Sequence, residues 1–306
     1  MALTAQQIKI LCSECSDVEL RLSEPLHMHT SFRTGGPAAV MAFPKTEEQL
    51  KKLLTCTHLL GVRPLVLGAG TNVLMPDSGL NALVICLKDC LCGVRLTEDD
   101  GIEAMAGQTL AKTAVFARDN SLSGLEFAHG IPGTVGGAVY MNAGAYGGEM
   151  KQVLVSGKAL AMDGSELTLS SDELELGYRT SIFNRMDAII VSAVFQLQPG
   201  QQEQIQQTML DLMARRRASQ PLELPSAGST FKRPEGYFAG ALIEQAGLKG
   251  KGVGGAKVSE KHAGFVVNYD HATSDDVLQT IAFVQKTVFE KSGVMLEPEV
   301  RIWQEE

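Results

Sequence analysis

Residues 130–148 read GIPGTVGGAVYMNAGAYGG, seven glycines in nineteen positions with no Asp, Glu, Lys or Arg. Glycine loses more backbone freedom on ordering than any other residue. A stretch this dense therefore implies main chain that approaches something closely or repeats φ > 0. Without side-chain charge, such a segment can still hold a diphosphate through aligned backbone N–H groups. The alternative is a buried, tightly turned connection that binds nothing.

The flanking patterns give the fold class. Upstream, TAQQ at 4–7 is a capping box that opens a helix over 4–15, and TEEQ at 46–49 opens a second that Gly61 stops. Strands are expected at 64–67, 82–87, 93–97 and 102–106, with a helix over 109–120. Downstream, 153–162 and 166–169 form a hairpin around Asp163-Gly164, and 188–197 (AIIVSAVFQL) is a long β-branched strand. A polar helix over 201–218 ends in Arg215-Arg216-Arg217. A helix at 238–246, a strand at 264–268, a helix at 274–292 and a closing strand near 294–303 follow. The irregular alternation and the hairpin signals favour α+β over a doubly wound parallel sheet. GAGTNV at 68–73 lacks the third glycine of a dinucleotide-binding turn, and no P-loop Gly-Lys-Ser/Thr is present. A dinucleotide, if bound, needs another architecture.

The 306 residues suggest two domains, 1–200 (itself split near 90–100) and 201–306. Hydrophobic content of 44% and a mean hydropathy of +0.03 fit a soluble globular chain. Lys+Arg 27 against Asp+Glu 35 gives a net charge of −8, which argues against nucleic acid and anionic membrane partners. No leader and no run of about 18 apolar residues is evident, so a cytoplasmic location is expected. Cys12-x2-Cys15 and Cys90-x-Cys92 could be zinc half-sites, but no further pair completes one. No metal is expected, and the six cysteines read as reduced thiols.

Six segments in order resemble one family: SFRTGG (31–36), LGAGTNVL (67–74), GIPGTVGG with NAGAY (130–137, 142–146), GYRTSIF (177–183), AGSTF (227–231) and LEPEVR (296–301). The chain resembles the UDP-N-acetylenolpyruvoylglucosamine reductases (UDP-N-acetylmuramate dehydrogenases) of bacterial peptidoglycan synthesis over about residues 25–303. The resemblance implies an FAD-binding region of the vanillyl-alcohol-oxidase type with two α+β subdomains in 1–200. It also implies an α+β substrate-binding domain in 201–306, whose closing strand returns to the active site. FAD held noncovalently, NADPH as hydride source, UDP-N-acetylglucosamine enolpyruvate as acceptor and a monomeric enzyme are implied as well. The short interval from Arg179 to Ser229 resembles the second type of the family, which lacks a substrate-covering tyrosine loop.

By the same resemblance, Ser229 is the proton donor to the substrate carbanion, with Gly228 allowing close approach. Arg179 is the catalytic arginine, and its guanidinium fork suits a carboxylate. Glu299 is the catalytic glutamate, with Glu297 as competitor because strand alternation would put both on one face. The expected cofactor-binding residues are Arg33, Gly68, Ala69, Gly70, Thr71, Asn72, Val73, Gly133, Thr134, Gly136, Gly137 and Asn142. The candidates for substrate are Arg217, Lys232, Arg233, Tyr237, Lys249 and His262. Arg233 stands where many family members carry Asn. His129 is read as structural. Taken alone, Ser229 is more commonly an N-cap or turn residue, Tyr178-Arg179 does not defeat a surface arginine, and the Arg215–Arg217 run is most often a solvated helix end.

Overall fold

The computed structural model describes residues 2–98 and 100–304. Its contacts divide the chain into two compact units. One holds Met1–Leu22, Val40–Ala69 and Ala82–Arg215; the other holds Ser23–Ala39, Gly70–Asn81 and Arg216–Glu306. The expected linear division at 200 therefore differs from the contact division. That division comes after Arg215, and two early segments join the C-terminal part.

The first unit contains α1 (Ala5–Glu14), α2 (Glu47–Leu59), α3 (Leu110–Asp119), α4 (Val135–Tyr140) and most of α5 (Gln202–Ser219). Thr4 and Gln7 form the expected capping box, Thr46 and Thr109 cap α2 and α3, and Gly61 with φ 63° ends the α2 turn. A five-stranded antiparallel sheet runs in the order Glu166–Ser170, Leu154–Ala161, Ala188–Gln196, Gly101–Met105, Val94–Leu96. Its long central strand is buried along nearly its whole length, as its β-branched run requires. A four-stranded sheet has the order Glu19–Pro25, Pro37–Phe43, Leu80–Cys86, Leu65–Leu67, with the last two parallel. Most of its residues fall in this unit. The antiparallel ladders and mixed layers make the fold α+β.

The second unit is built on a buried cluster that includes Phe32, Leu74, Phe231, Leu242, Ile243, Val277, Ile281, Val284, Val288, Leu296 and Val300. α6 (Ala239–Gln245) and α7 (Ser274–Ser292) supply much of it. In α7 the apolar positions 277, 281, 284 and 288 recur at helical spacing and face this core. Thr273 and Asp276 form a capping box, and Gly293, left-handed at φ 70°, closes the helix. A three-stranded antiparallel sheet, Gly252–Val253, Ala256–Val258 and Val266–Asn268, completes the layer. The expected closing strand at 294–303 is shorter than its apolar pattern suggests. Only Arg301–Ile302 pairs as a strand, parallel to Val73–Leu74, with Pro298 bridging Phe231 upstream. At that bridge the bonds are made by the flanking residues, Lys232 N–H to Glu297 O and Glu299 N–H to Thr230 O, so Pro298 is tolerated where no N–H is required but has none to extend a ladder on its other side.

Candidate active site

Thr230 organises one part of the site. It is 1% exposed, donates its N–H to Gly264 O (2.8 Å) and accepts from Val266 N–H through Oγ1 (2.9 Å). Its carbonyl accepts from Glu299 N–H (2.8 Å), and Lys232 N–H donates to Glu297 O (2.8 Å). AGSTF and LEPEV are thus tied together by main chain, with Ser229 and Glu299 on either side of the Thr230 carbonyl link. Ser229 is exposed, and its hydroxyl has no hydrogen-bond partner among the described residues. Gly228 has φ 76° and open space where a Cβ would lie, so its freedom serves the turn.

Glu297 and Glu299 differ in exposure and in partner. Glu297 is exposed and paired with the Lys232 ammonium. Glu299 is half-buried, and its carbonyl accepts from Asn72 Nδ2 (3.3 Å). Asn72 O in turn accepts from Arg301 N–H (3.0 Å). The GAGTNV loop therefore meets the C-terminal segment through Asn72, and one amide donor expected for a phosphate is committed to Glu299. Ser31 holds the same loop, donating its N–H (3.0 Å) and Oγ (3.2 Å) to Gly70 O. Gly70 has φ 63°, and a Cβ there would collide with the His29 carbonyl.

Several features fit an anionic dinucleotide-type cofactor. The amides of Ala69, Gly70, Thr71 and Asn72 donate to no acceptor among the described residues. Such a run of uncommitted N–H groups suits a diphosphate. Thr34 Oγ1, in the SFRTGG segment, and His129 Nδ1, just before the glycine-rich segment, are buried without hydrogen-bond partners. Buried polar atoms left unpaired by the fold mark places where a bound group would complete the network. Arg33 lies beside Thr34, exposed and left-handed at φ 58°.

In the first unit the glycine-rich segment is partly helical. Thr134 caps α4 by accepting from Gly137 N–H (3.4 Å). The amides of Val135 and Gly136 are taken by Gln108 O (2.9 Å) and Ala106 O (2.9 Å). Gly136 and Gly137 thus have their N–H groups committed to the fold. A Cβ on Gly136 would press on Ala106 Cβ at 3.0 Å, and one on Gly68 would lie 2.6 Å from Thr134 Oγ1. Gly133 and Thr134 keep amides without an acceptor among the described residues. Arg179 is half-buried, left-handed at φ 55°, with its guanidinium 5.4 Å from the Tyr178 ring centre. It belongs to the first unit, whereas Ser229 and Glu299 belong to the second.

The substrate candidates are dispersed in role. Lys249 pairs with Glu244 (2.5 Å) as Lys232 does with Glu297. Arg233 lies 4.0 Å over the Phe238 ring, and its Nε donates to Tyr237 O (3.3 Å). Tyr237 is half exposed. Arg217 is exposed, and its carbonyl accepts from Lys261 Nζ (2.6 Å). His262 Nδ1 accepts from Gly264 N–H (3.1 Å), and the ring meets Phe265 edge-on at 4.8 Å. Burial, helped by Lys249, holds its imidazole below the ordinary pKa range.

Among the described residues no group of three or more His, Cys, Asp or Glu is arranged to hold a metal. Cys15 is buried against Cys56, and burial pushes its thiol up to about 12. Cys86 and Cys90 are likewise raised by burial, to about 12 and about 11.

Sequence reasoning missed Thr230, the residue that fixes Ser229 and Glu299 in register. Its signal was a β-branched polar side chain between an exposed Ser and an apolar Phe, the alternation of a half-buried extended segment.

The family described as "UDP-N-acetylenolpyruvoylglucosamine reductase, C-terminal domain" matches residues 220–303. The family described as "FAD binding domain" matches residues 37–170. A UDP-N-acetylenolpyruvoylglucosamine reductase of Limosilactobacillus reuteri is 48% identical over 298 residues, covering 95% of this chain and 97% of that protein. One of Geobacillus kaustophilus is 47% identical over 303 residues, covering 99% of each. The crystal structure of UDP-N-acetylenolpyruvylglucosamine reductase from Thermus caldophilus superposes with a TM-score of 0.75 at 33% identity, covering 94% of this chain and 99% of that one.

Proposed function

The chain belongs to the UDP-N-acetylenolpyruvoylglucosamine reductase family, and on that premise we propose how its residues divide the work. It is an FAD-dependent oxidoreductase that reduces the enolpyruvyl ether of UDP-N-acetylglucosamine in peptidoglycan precursor synthesis. FAD held by the chain would supply hydride, drawn from NADPH, to the methylene carbon of the enolpyruvyl group. The amides of residues 69–72, with Gly133 and Thr134, hold the cofactor's diphosphate and ring edges, and Arg33 and Thr34 serve it from the SFRTGG segment.

Hydride arrival leaves negative charge on the carbon that bears the carboxylate. Ser229 Oγ–H donates the proton to that carbon. A serine hydroxyl is a weak acid, but the carbanion is a strong base, so placement governs the rate more than acidity does. Arg179 takes the substrate carboxylate in its planar fork and stabilises the charge that spreads there. Glu299 orients a water or neighbouring donor near the enolate, and the ion pair of Glu297 with Lys232 supports this choice between the two glutamates. Arg217, Lys232, Arg233, Tyr237, Lys249 and His262 are proposed for the nucleotide end of the substrate. For Lys232 and Lys249, binding a diphosphate would mean exchanging a carboxylate partner for it.

The observation that carries this reading is the Thr230–Glu299 main-chain link. It ties the chain neighbour of Ser229, whose hydroxyl is free, directly to the main chain of half-buried Glu299, and Asn72 of the loop with uncommitted amides bonds the Glu299 carbonyl. The interval after Arg179 is taken up by the strand Ala188–Gln196 and α5, in keeping with the type that lacks a tyrosine loop. No helix of the described residues is long and apolar enough to cross a membrane, and a cytoplasmic, monomeric enzyme is proposed. Anaerobic addition of NADPH should bleach the flavin absorption of the purified protein, and the enolpyruvyl nucleotide should restore it. A protein that takes up no FAD would refute the reading.

A further inference from the structure

Asn142 lies inside the glycine-rich segment and is 2% exposed. Its side chain does not point outward to a ligand. Nδ2 donates to Gly177 O (2.9 Å) and to a Glu149 carboxylate oxygen (3.1 Å), and Oδ1 accepts from Lys151 N–H (2.9 Å). Both amide ends are therefore committed within the fold. Gly177 opens a tight turn closed on Thr180, Gly177 N–H to Thr180 O at 3.1 Å and Thr180 N–H to Gly177 O at 3.4 Å. Arg179 occupies that turn with φ 55°, a conformation that costs a non-glycine residue energy and persists only where neighbours impose it. The neighbours are on the glycine-rich segment. Besides Asn142, Ser181 Oγ donates to Tyr140 O at the end of α4 (2.8 Å), and Asn184 Nδ2 donates to the same carbonyl (3.4 Å) and to Thr180 Oγ1 (3.2 Å).

We propose that Asn142 is the positioning residue of Arg179. Its side-chain amide fixes the Gly177–Thr180 turn to the glycine-rich segment and so sets where the guanidinium meets the substrate carboxylate. This inference rests on the role given to Arg179 above, and it replaces the expectation that Asn142 contacts the flavin. Its own left-handed backbone, φ 41°, explains why the position takes Asn, one of the few side chains that tolerate that region.

The test uses the full-length, FAD-loaded enzyme and follows three quantities: flavin stoichiometry, the rate of bleaching by NADPH, and the rate of reoxidation by the enolpyruvyl nucleotide. Asn142→Asp keeps the shape, the φ tolerance and the acceptor for Lys151 N–H, but cannot donate to Gly177 O. Asn142→Gly removes the amide without the charge beside Glu149 and serves if the Asp variant does not fold. Either variant should keep flavin content and NADPH reduction within about twofold while reoxidation slows by roughly 10- to 100-fold, the scale of a misplaced binding group. In an Arg179→Ala background the same change should alter reoxidation by less than about twofold, because the group it positions is gone. Glu149→Gln, which leaves the Gly177 bond intact, should stay near wild type. Wild-type reoxidation in both Asn142 variants beside a crippled Arg179→Ala overturns this inference alone. Loss of FAD from a folded Asn142 variant, or penalties that multiply in full with Arg179→Ala, does so as well. Wild-type reoxidation by Arg179→Ala itself overturns the underlying role of Arg179 and the inference with it.

Discussion

His262 illustrates how one buried side chain couples stability to pH. Its Nδ1 accepts a main-chain N–H, so the neutral ring carries its proton on Nε2, and burial disfavours the imidazolium. The folded pKa lies below the ordinary 6.5, so the unfolded chain takes up the proton first as pH falls. The native state is thus penalised below about pH 6.5 and unpenalised above it. Burial also lowers the His129 pKa, and both act in the same direction. The urea midpoint should therefore fall between pH 7.5 and pH 5.5, and His262→Gln should flatten that fall. A midpoint that rises toward pH 5.5, or an unchanged slope in the variant, would refute the assignment. The side chains also mark a limit of sequence reading. The SFRTGG, GAGTNV and AGSTF motifs by their order pointed to the family, but not to what each side chain does. Asn72 and Asn142 look like ligand donors in a linear string. In the folded chain Asn72 bonds Glu299 O and Asn142 bonds Gly177 O, partners 227 and 35 residues away.

Helix α7 was legible almost to the residue. Its capping box, its 277–281–284–288 stripe and its terminal glycine are all local signals. Removing its cap with Thr273→Ala should cost about 1 kcal/mol of unfolding free energy. Truncating the buried Ile281 to Ala should cost about 2–5 kcal/mol by urea denaturation; equal costs would contradict the packing described. Helix α4 was not legible, because VGGAVY has two glycines and poor intrinsic propensity. It forms through tertiary bonds from its first amides to Ala106 and Gln108. The strands Glu19–Pro25 and Pro37–Phe43 were missed for opposite reasons. The first is mostly exposed with no clean alternation, and the second is buried almost continuously behind a proline. The GAGTNV loop makes a sharper prediction. Gly70→Ala sets a Cβ against the His29 carbonyl in a left-handed backbone, so the purified variant should carry less FAD at 450 nm than wild type. Full flavin content would show that the loop does not need that glycine.

The division into units shows what no local pattern carries. Segments Ser23–Ala39 and Gly70–Asn81 belong with Arg216–Glu306, and only long-range pairing, such as Asn268 Nδ2 to Phe32 O (2.9 Å) or Ser274 N–H to Asp77 Oδ1 (2.9 Å), reveals it. The motifs indicated the α+β class and the family, while the noncontiguous assembly came only from the fold. Within the second unit this assembly brings the uncommitted amides of residues 70–72, a free serine hydroxyl and a half-buried glutamate onto one framework. In the proposed mechanism Ser229 protonates the substrate after hydride has arrived. The most direct measurement follows Ser229→Ala through two anaerobic stages, bleaching of the bound flavin by NADPH and its reoxidation by the enolpyruvyl nucleotide. Bleaching should proceed at the wild-type rate and reoxidation should slow by several orders of magnitude. Reoxidation at the wild-type rate, or a defect confined to bleaching, would contradict it.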